Sequence, residues 1–272
     1  MGNLARSFRR IANEIAEMPG IRHLAEPLYR REFSAKRSSG NAYFGVYPGF
    51  EEARQAVPAS LPGDFDSAAA ANLYEYRFSE IESSDYPALF WLGRLLEQGQ
   101  RRIFDLGGHV GVSYYAYQQH LEFPTDLRWQ VHDMASVMEK GRDIARERDP
   151  AQRLEFVDLE VADGCDVLMA KGSLQYLDYS MAELIQRMHV PPRHLLVNLT
   201  PMHPSLSFFT LQHIGIAVCP YRVTAVPKFL FDIRALGYRL NVRWDHPERS
   251  VRVPFHPDYS IDRYHGFHFC RD

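Results

Sequence analysis

The sequence predicts an α/β protein built on a mainly parallel sheet with helices on both faces. Three observations carry this prediction. From residue 101 onward, short apolar strands alternate with helical stretches. One of these strands ends in an acid and runs into a glycine turn that opens a helix, Asp105-Leu-Gly107-Gly108-His-Val-Gly111. A second strand, 129–132, also ends in an acid, Asp133.

The elements follow in chain order. At the start, Leu4, Phe8, Ile11, Ile15 and Met18 recur at helical spacing among basic residues. That pattern reads as an amphipathic packing helix and not as a signal peptide. A membrane-surface helix is the alternative, and Glu14 and Glu17 on the polar face count against it. Residues 34–50 hold Gly40, Gly45, Pro48 and Gly49 among aromatics and read as a surface loop. Helices are predicted over 66–78 and 87–98. Strands follow at 102–106, 129–132, 154–157, 166–170 and 194–199, with helices after the glycine turn to about His120, over 137–147 and over 181–188. A helix over 227–236 has Pro227 at its start and Gly237 just past its end, as capping preferences require. Strands 238–244 and 264–270 close the chain without a helix between them, which predicts an antiparallel edge.

Composition narrows the function classes. Hydrophobic residues make up 46% and charged residues 24%, enough for a sizeable core. The net charge of −3 gives no basic face for nucleic acid. No run approaches the roughly 20 apolar residues of a membrane span. The three cysteines are far apart and form no CxxC, so free thiols in a reducing, cytoplasmic setting are expected. His265 and His268 point to opposite faces of a strand, and no metal site is expected. Neither a GxSxG nor a P-loop pattern occurs.

The chemistry gathers at the strand ends. Glycine lets backbone approach a ligand and adopt positive φ, and the following helix presents free N–H groups. In open α/β sheets ligands bind beyond the carboxyl ends of the strands. Asp133, at the tip of the second strand, suits the two hydroxyls of a ribose; it also suits a helix N-cap.

The acid–glycine–glycine–x–x–glycine turn resembles motif I of class I methyltransferases, which use S-adenosylmethionine (SAM). A wider set resembles a bacterial branch of that superfamily found among biosynthetic genes: Tyr43-Phe-Gly-Val-Tyr47 with Phe50-Glu-Glu-Ala53, Tyr86-Pro87, Phe104 to Gly108 with Gly111 and Tyr115, Leu174-Gln-Tyr-Leu177, and Thr210-Leu-Gln212. It spans nearly the whole chain from about residue 41. The chain departs from the superfamily at His109, which stands where a second glycine is usual, with an extra glycine at 108. Within the branch it also looks like the azetidine-2-carboxylate synthases of non-ribosomal peptide pathways. Those close SAM on itself, its amine attacking Cγ and expelling 5′-methylthioadenosine.

The resemblance implies a Rossmann-like, seven-stranded class I methyltransferase fold over 101–272, with 1–100 as a helical extension that lids the pocket. In that lid, Tyr43, Phe44 and Tyr47 are expected to face inward. Asp105, Gly107, Gly108 and Gly111 are expected around the amino-acid part of SAM, Asp133 at the ribose, and Met134 on adenine. Asp158 is expected either at the adenine amine or as a turn cap, and Ser173 and Gln175 near the sulfonium. Among the aromatics (Tyr114, Tyr115, Tyr117, Tyr176, Tyr179, Phe208 and Phe209), most are expected in the core. Tyr176 and Tyr115 are the candidates for a cage that attracts the cation. Asn198, Thr200, His203 and Ser205 are candidates to orient the amine or accept its proton.

The leading expectation is cyclisation of SAM. The alternatives are methyl transfer to a small-molecule, sugar or peptide acceptor, a non-catalytic nucleotide-binding scaffold, and NAD binding, which the glycine spacing disfavours.

Overall fold

A computed structural model describes residues 20–35, 41–63 and 75–271. The predicted helix at 1–19 and most of that at 66–78 lie outside these residues. What is described of the latter is a 3-10 turn, Glu75–Ser79.

One ten-stranded sheet organises the chain. Its central part runs β4 (Leu154–Phe156), β3 (Arg128–His132), β2 (Arg102–Leu106), β5 (Val167–Lys171) and β6 (His194–His203), all parallel. Beyond β6, β10 (Tyr264–Cys270) pairs antiparallel with both β6 and β9 (Arg239–His246). These strands form the predicted Rossmann-like sheet. The antiparallel strand lies one place inside the margin, and β9 forms the edge.

Three more strands enlarge the sheet beyond the seven expected. β1 (Ala42–Tyr47), β7 (Phe208–His213) and β8 (Val218–Ala225) form an antiparallel wing. It joins the main sheet where β8 pairs with the end of β6 through Met202↔Thr224 and His203↔Ala225. The segment before β2 is therefore not wholly helical, because residues expected to loop complete this wing. α1 (Arg22–Phe33) and α2 (Phe50–Gln55) pack Phe33 and Ala53 against Phe209, Leu211 and Val218.

Side chains alternate across the sheet, so neighbouring residues of β2 enter different cores. Ile103 faces α3 (Tyr86–Glu97), α4 (Val112–Tyr117) and α5 (Ala135–Arg148), with Leu92, Tyr117, Trp129 and Val131. Phe104 faces α6 (Met181–Gln186) and α7 (Val226–Ala235), with Leu184, Ile185, Phe229 and Ile233. The start of α6 is fixed by a capping box, in which Ser180 accepts from the Glu183 N–H and Glu183 accepts from the Ser180 N–H. Among the described residues no helix is long and apolar enough to cross a membrane.

Candidate functional site

A cavity of about 1180 Å³ opens at the carboxyl ends of β2, β3 and β5 and runs across to the wing. It lies where β2 is flanked by β3 and β5, which the chain enters in opposite directions, the usual ligand crevice of an open α/β sheet.

The glycine turn forms its floor. Gly107 has φ +73, and a Cβ there would lie 2.3 Å from Ser173 Cβ. A Cβ on Gly108 would lie 2.6 Å from the Asp105 carboxylate. Both positions therefore require glycine. Ser173 closes the packing by donating its hydroxyl to the Leu106 carbonyl at 2.5 Å. His109, where the resemblance predicts a departure, adopts left-handed backbone with φ +55. Its N–H donates to Asp133 Oδ2 at 2.8 Å, and the Met134 N–H donates to Asp133 Oδ1 at 2.8 Å.

Asp105 sits beneath the turn, 1% exposed. Its Oδ2 accepts from Trp129 Nε1 at 3.2 Å, while its Oδ1 is buried without a partner among the described residues. Burial pushes this carboxyl up to about 7; the Lys171 charge and the Trp129 bond oppose the rise, and the Asp133 charge adds to it. Gln175 Oε1 is a second buried acceptor without a partner at the same cavity.

Sequence reasoning missed the ion pair at one side of this floor. Lys171, the last residue of β5, donates to Asp85 Oδ1 at 2.7 Å, and Arg77 donates to Asp85 Oδ2 at 3.2 Å. The Lys171 and Asp85 side chains are 10% and 2% exposed. Burial alone would raise the Asp85 carboxyl, but Lys171, the Glu82 N–H and Arg77 together hold it below its ordinary value. Lys171 at a strand tip was readable as a site position; Asp85 carried no local signal.

The opposite wall was foreseen only in part. Tyr43, Gln212, Tyr221 and Tyr264 converge there with Tyr176. The Tyr176 hydroxyl donates to Gln212 Oε1 at 2.8 Å. Tyr43, Tyr176 and Gln212 had been singled out; Tyr221 and Tyr264 come from β8 and β10, which no local pattern connects to them.

Of the expected site residues, Asp105, Gly107, Gly108, Asp133, Met134, Ser173, Gln175 and Tyr176 line the cavity. The others do not. Gly111 is the N-cap of α4, φ +88, against Leu154. Tyr115 is buried in the core with its ring 4.5 Å from Phe78. Asp158 is exposed and precedes the 3-10 turn Leu159–Ala162. Ser205 is exposed on the connection to β7.

Asn198 is wholly buried, donating to the Ser84 carbonyl at 2.8 Å and accepting from Trp244 Nε1 at 2.9 Å. Asn198 continues the alternation of β6 on the face of Leu196, and the next residue, Leu199, takes φ +53 and lines the cavity. His203 is held by the Asp258 carbonyl and by the Ser205 and Leu206 N–H groups. Of the three aromatics expected to face inward from β1, Tyr43 does, whereas Phe44 and Tyr47 pack in the α1–α2 cluster. Among the described residues no group of three or more His, Cys, Asp or Glu could hold a metal.

No protein-family model and no curated protein matches the chain. Solved structures with some likeness include methyltransferases. Mitomycin 7-O-methyltransferase MmcR is 19% identical, with 68% of this chain and 54% of that chain covered and a TM-score of 0.39. An O-methyltransferase family protein from Burkholderia thailandensis is 19% identical, with 69% and 56% covered and a TM-score of 0.45. Magnesium protoporphyrin IX methyltransferase ChlM from Synechocystis PCC 6803, with bound SAM, is 12% identical, with 76% and 93% covered and a TM-score of 0.46. The chain thus spans little more than half the length of two of these three proteins.

Proposed function

We propose that the chain is a SAM-dependent methyltransferase that acts on a small-molecule acceptor. The observation that carries this is the cavity. At about 1180 Å³ it exceeds the roughly 300–1,000 Å³ that houses one drug-sized ligand. It also has two chemically different walls, the glycine turn with its acids and the tyrosine–glutamine cluster. That suits two molecules meeting.

The residues present fit SAM on the first wall. Gly107 and Gly108 leave room for backbone to meet the amino-acid tail. The unpartnered Asp105 Oδ1 and Gln175 Oε1 are acceptors suited to its ammonium group. Asp133 keeps lone pairs for ribose hydroxyls, and Met134, 38% exposed, offers an apolar face to a base. When bound, SAM supplies an electrophilic methyl group on a sulfonium. The protein's part is to hold the acceptor in line and exclude water. Tyr43, standing in the far wall on β1, supports reading the segment before β2 as part of the enclosure over the pocket.

A second reading, cyclisation of SAM to azetidine-2-carboxylate for a non-ribosomal peptide pathway, is favoured by the tyrosines around Tyr176, whose faces attract a desolvated cation. One experiment separates the two. The purified protein is incubated with SAM alone and the products are identified by mass spectrometry. Methyl transfer predicts no turnover despite S-adenosylhomocysteine (SAH) binding. Enzyme-dependent 5′-methylthioadenosine with a four-carbon cyclic amino acid establishes cyclisation and overturns the first reading.

A further inference from the structure

Arg77, in the 3-10 turn Glu75–Ser79, lines the cavity with a side chain only 12% exposed. Its Nη2 lies 3.2 Å from Asp85 and 3.5 Å from Glu82. Its Nε is buried and has no hydrogen-bond partner among the described residues. A buried donor left without an acceptor is costly, and more so when it belongs to a charged group. A cationic donor is best met by an anion.

Arg77 also stands near the acid beneath the glycine turn. Burial raises the Tyr117 hydroxyl well above its ordinary pKa, the Asp85 and Asp105 charges add to the rise, and the Arg77 charge opposes it, so all three groups lie close to one buried hydroxyl. Asp105 Oδ1 and Gln175 Oε1, on the same cavity lining, are buried acceptors without donors. Two such acceptors beside one cationic donor complement an α-amino acid, whose ammonium and carboxylate sit on one carbon. The charges agree. Lys171, Asp85, Arg77, Glu82 and Arg249 form a row of alternating sign, with successive separations of 2.7, 3.2, 3.5 and 3.0 Å. The cations outnumber the anions by one. Asp105, ionised by an ammonium group set against it, offsets that excess. A tail whose own two charges cancel then leaves the floor balanced, whereas a tail with an ammonium alone leaves it positive.

We propose that Arg77 binds the carboxylate of the SAM tail through its Nε–H, beside the two acceptors that take the ammonium group. The inference rests on the methyltransferase reading, with SAM on the wall of the glycine turn.

Isothermal titration calorimetry on the full chain compares SAH with decarboxylated SAH, which keeps the nucleoside, the sulfur and the amine and lacks only the carboxylate. Wild type is expected to bind SAH at least about tenfold tighter. Arg77→Met is expected to weaken SAH by about tenfold and to leave decarboxylated SAH within about twofold of its wild-type affinity. In that variant Asp85 keeps Lys171 and Glu82 keeps Arg249 as counter-charges. A residue that only shapes the pocket would weaken both ligands alike.

Equal affinity of wild type for the two ligands overturns the proposal, as does an equal loss of both in Arg77→Met or no loss of SAH. If Arg77→Met does not fold, Arg77→Lys decides. It keeps the charge beside Asp85 but has no Nε–H in the guanidinium position. It must weaken SAH by at least about threefold and spare decarboxylated SAH; any other pattern refutes Arg77 as the carboxylate donor. If neither ligand binds wild type, the methyltransferase reading fails and the proposal falls with it. If both bind and only the predicted difference is missing, the proposal fails alone.

Discussion

The backbone N–H of His109 donates to the Asp133 carboxylate at 2.8 Å, so the glycine turn after β2 is fastened to the tip of β3. One side chain thus shapes the loop that meets one end of the proposed ligand and stands where the ribose would lie. Asp133→Ala removes two charge-assisted bonds and is expected to weaken SAH binding by at least about tenfold. Isothermal titration calorimetry measures this; unchanged affinity would remove Asp133 from the site.

Gly107→Ala forces a side chain into left-handed backbone and against Ser173. The expected cost is roughly 1–3 kcal/mol from backbone strain alone, with more from the collision. Urea unfolding checks it. A variant as stable as wild type would mean that the turn adopts another path.

Asp105 gives a pH signature. Its folded pKa, about 7, lies above the ordinary 3.8, so the folded state binds more protons between those values. Its contribution to stability is full below about pH 4 and is lost as pH rises through about 7. Asp105→Asn is expected to melt a few degrees higher than wild type at pH 8 and close to it at pH 4. A difference of the same size at both pH values would contradict the burial of a titrating carboxyl.

The Lys171–Asp85 pair is almost wholly buried. Asp85→Asn leaves the buried Lys171 without its counter-charge, while Arg77 keeps Glu82 at 3.5 Å, and is expected to cost about 3–5 kcal/mol. The double variant Asp85→Asn/Lys171→Met should cost clearly less than the two single changes added together. Additive costs in a thermal-melt cycle would show that the two side chains are not coupled.

Tyr115 and Asn198 separate structure from function. The Tyr115 hydroxyl is buried without a hydrogen bond among the described residues. Tyr115→Phe is therefore expected to leave SAH affinity unchanged and stability equal or higher. Asn198→Ala strips acceptors and donors from Trp244, His246 and Ser84 and is expected to cost about 2 kcal/mol, again without direct loss of SAH affinity. A large binding defect in a stably folded Tyr115→Phe protein would restore that residue to the site.

The half of the site built on local pattern was legible in the sequence. Asp105, Gly107, Gly108 and Asp133 are each fixed by a strand end and the turn after it, within a few residues of chain. Of the tyrosine wall, Tyr43 and Tyr176 were singled out, but not what brings them together. β1 pairs with β7 across more than half the chain, Tyr43 opposite Gln212, and its glycine- and aromatic-rich segment reads as a loop until that partner is known. Asn198 and Ser205 were chosen as polar residues near the end of a strand, and residue type does not show that Asn198 is taken up by Ser84 and Trp244 or that Ser205 faces outward on a connection. Leucine seldom takes the positive φ of Leu199, so nothing in the residue type announces the bulge there either. Asp85 shows the same limit: its partner Lys171 is distant in sequence, and only the packed fold brings the charges together.

β6 ties the main sheet to the wing: its residues 194–198 pair with β5 and those between 194 and 201 with β10, while its last two, Met202 and His203, pair with β8. Substitutions in β1, β7 and β8 can therefore recut the tyrosine wall while the turn after β2 and the tip of β3 keep their registers. On the proposed reading, such a chain can change the molecule it accepts on one side of a single seam while the wall that would meet the nucleoside keeps its shape.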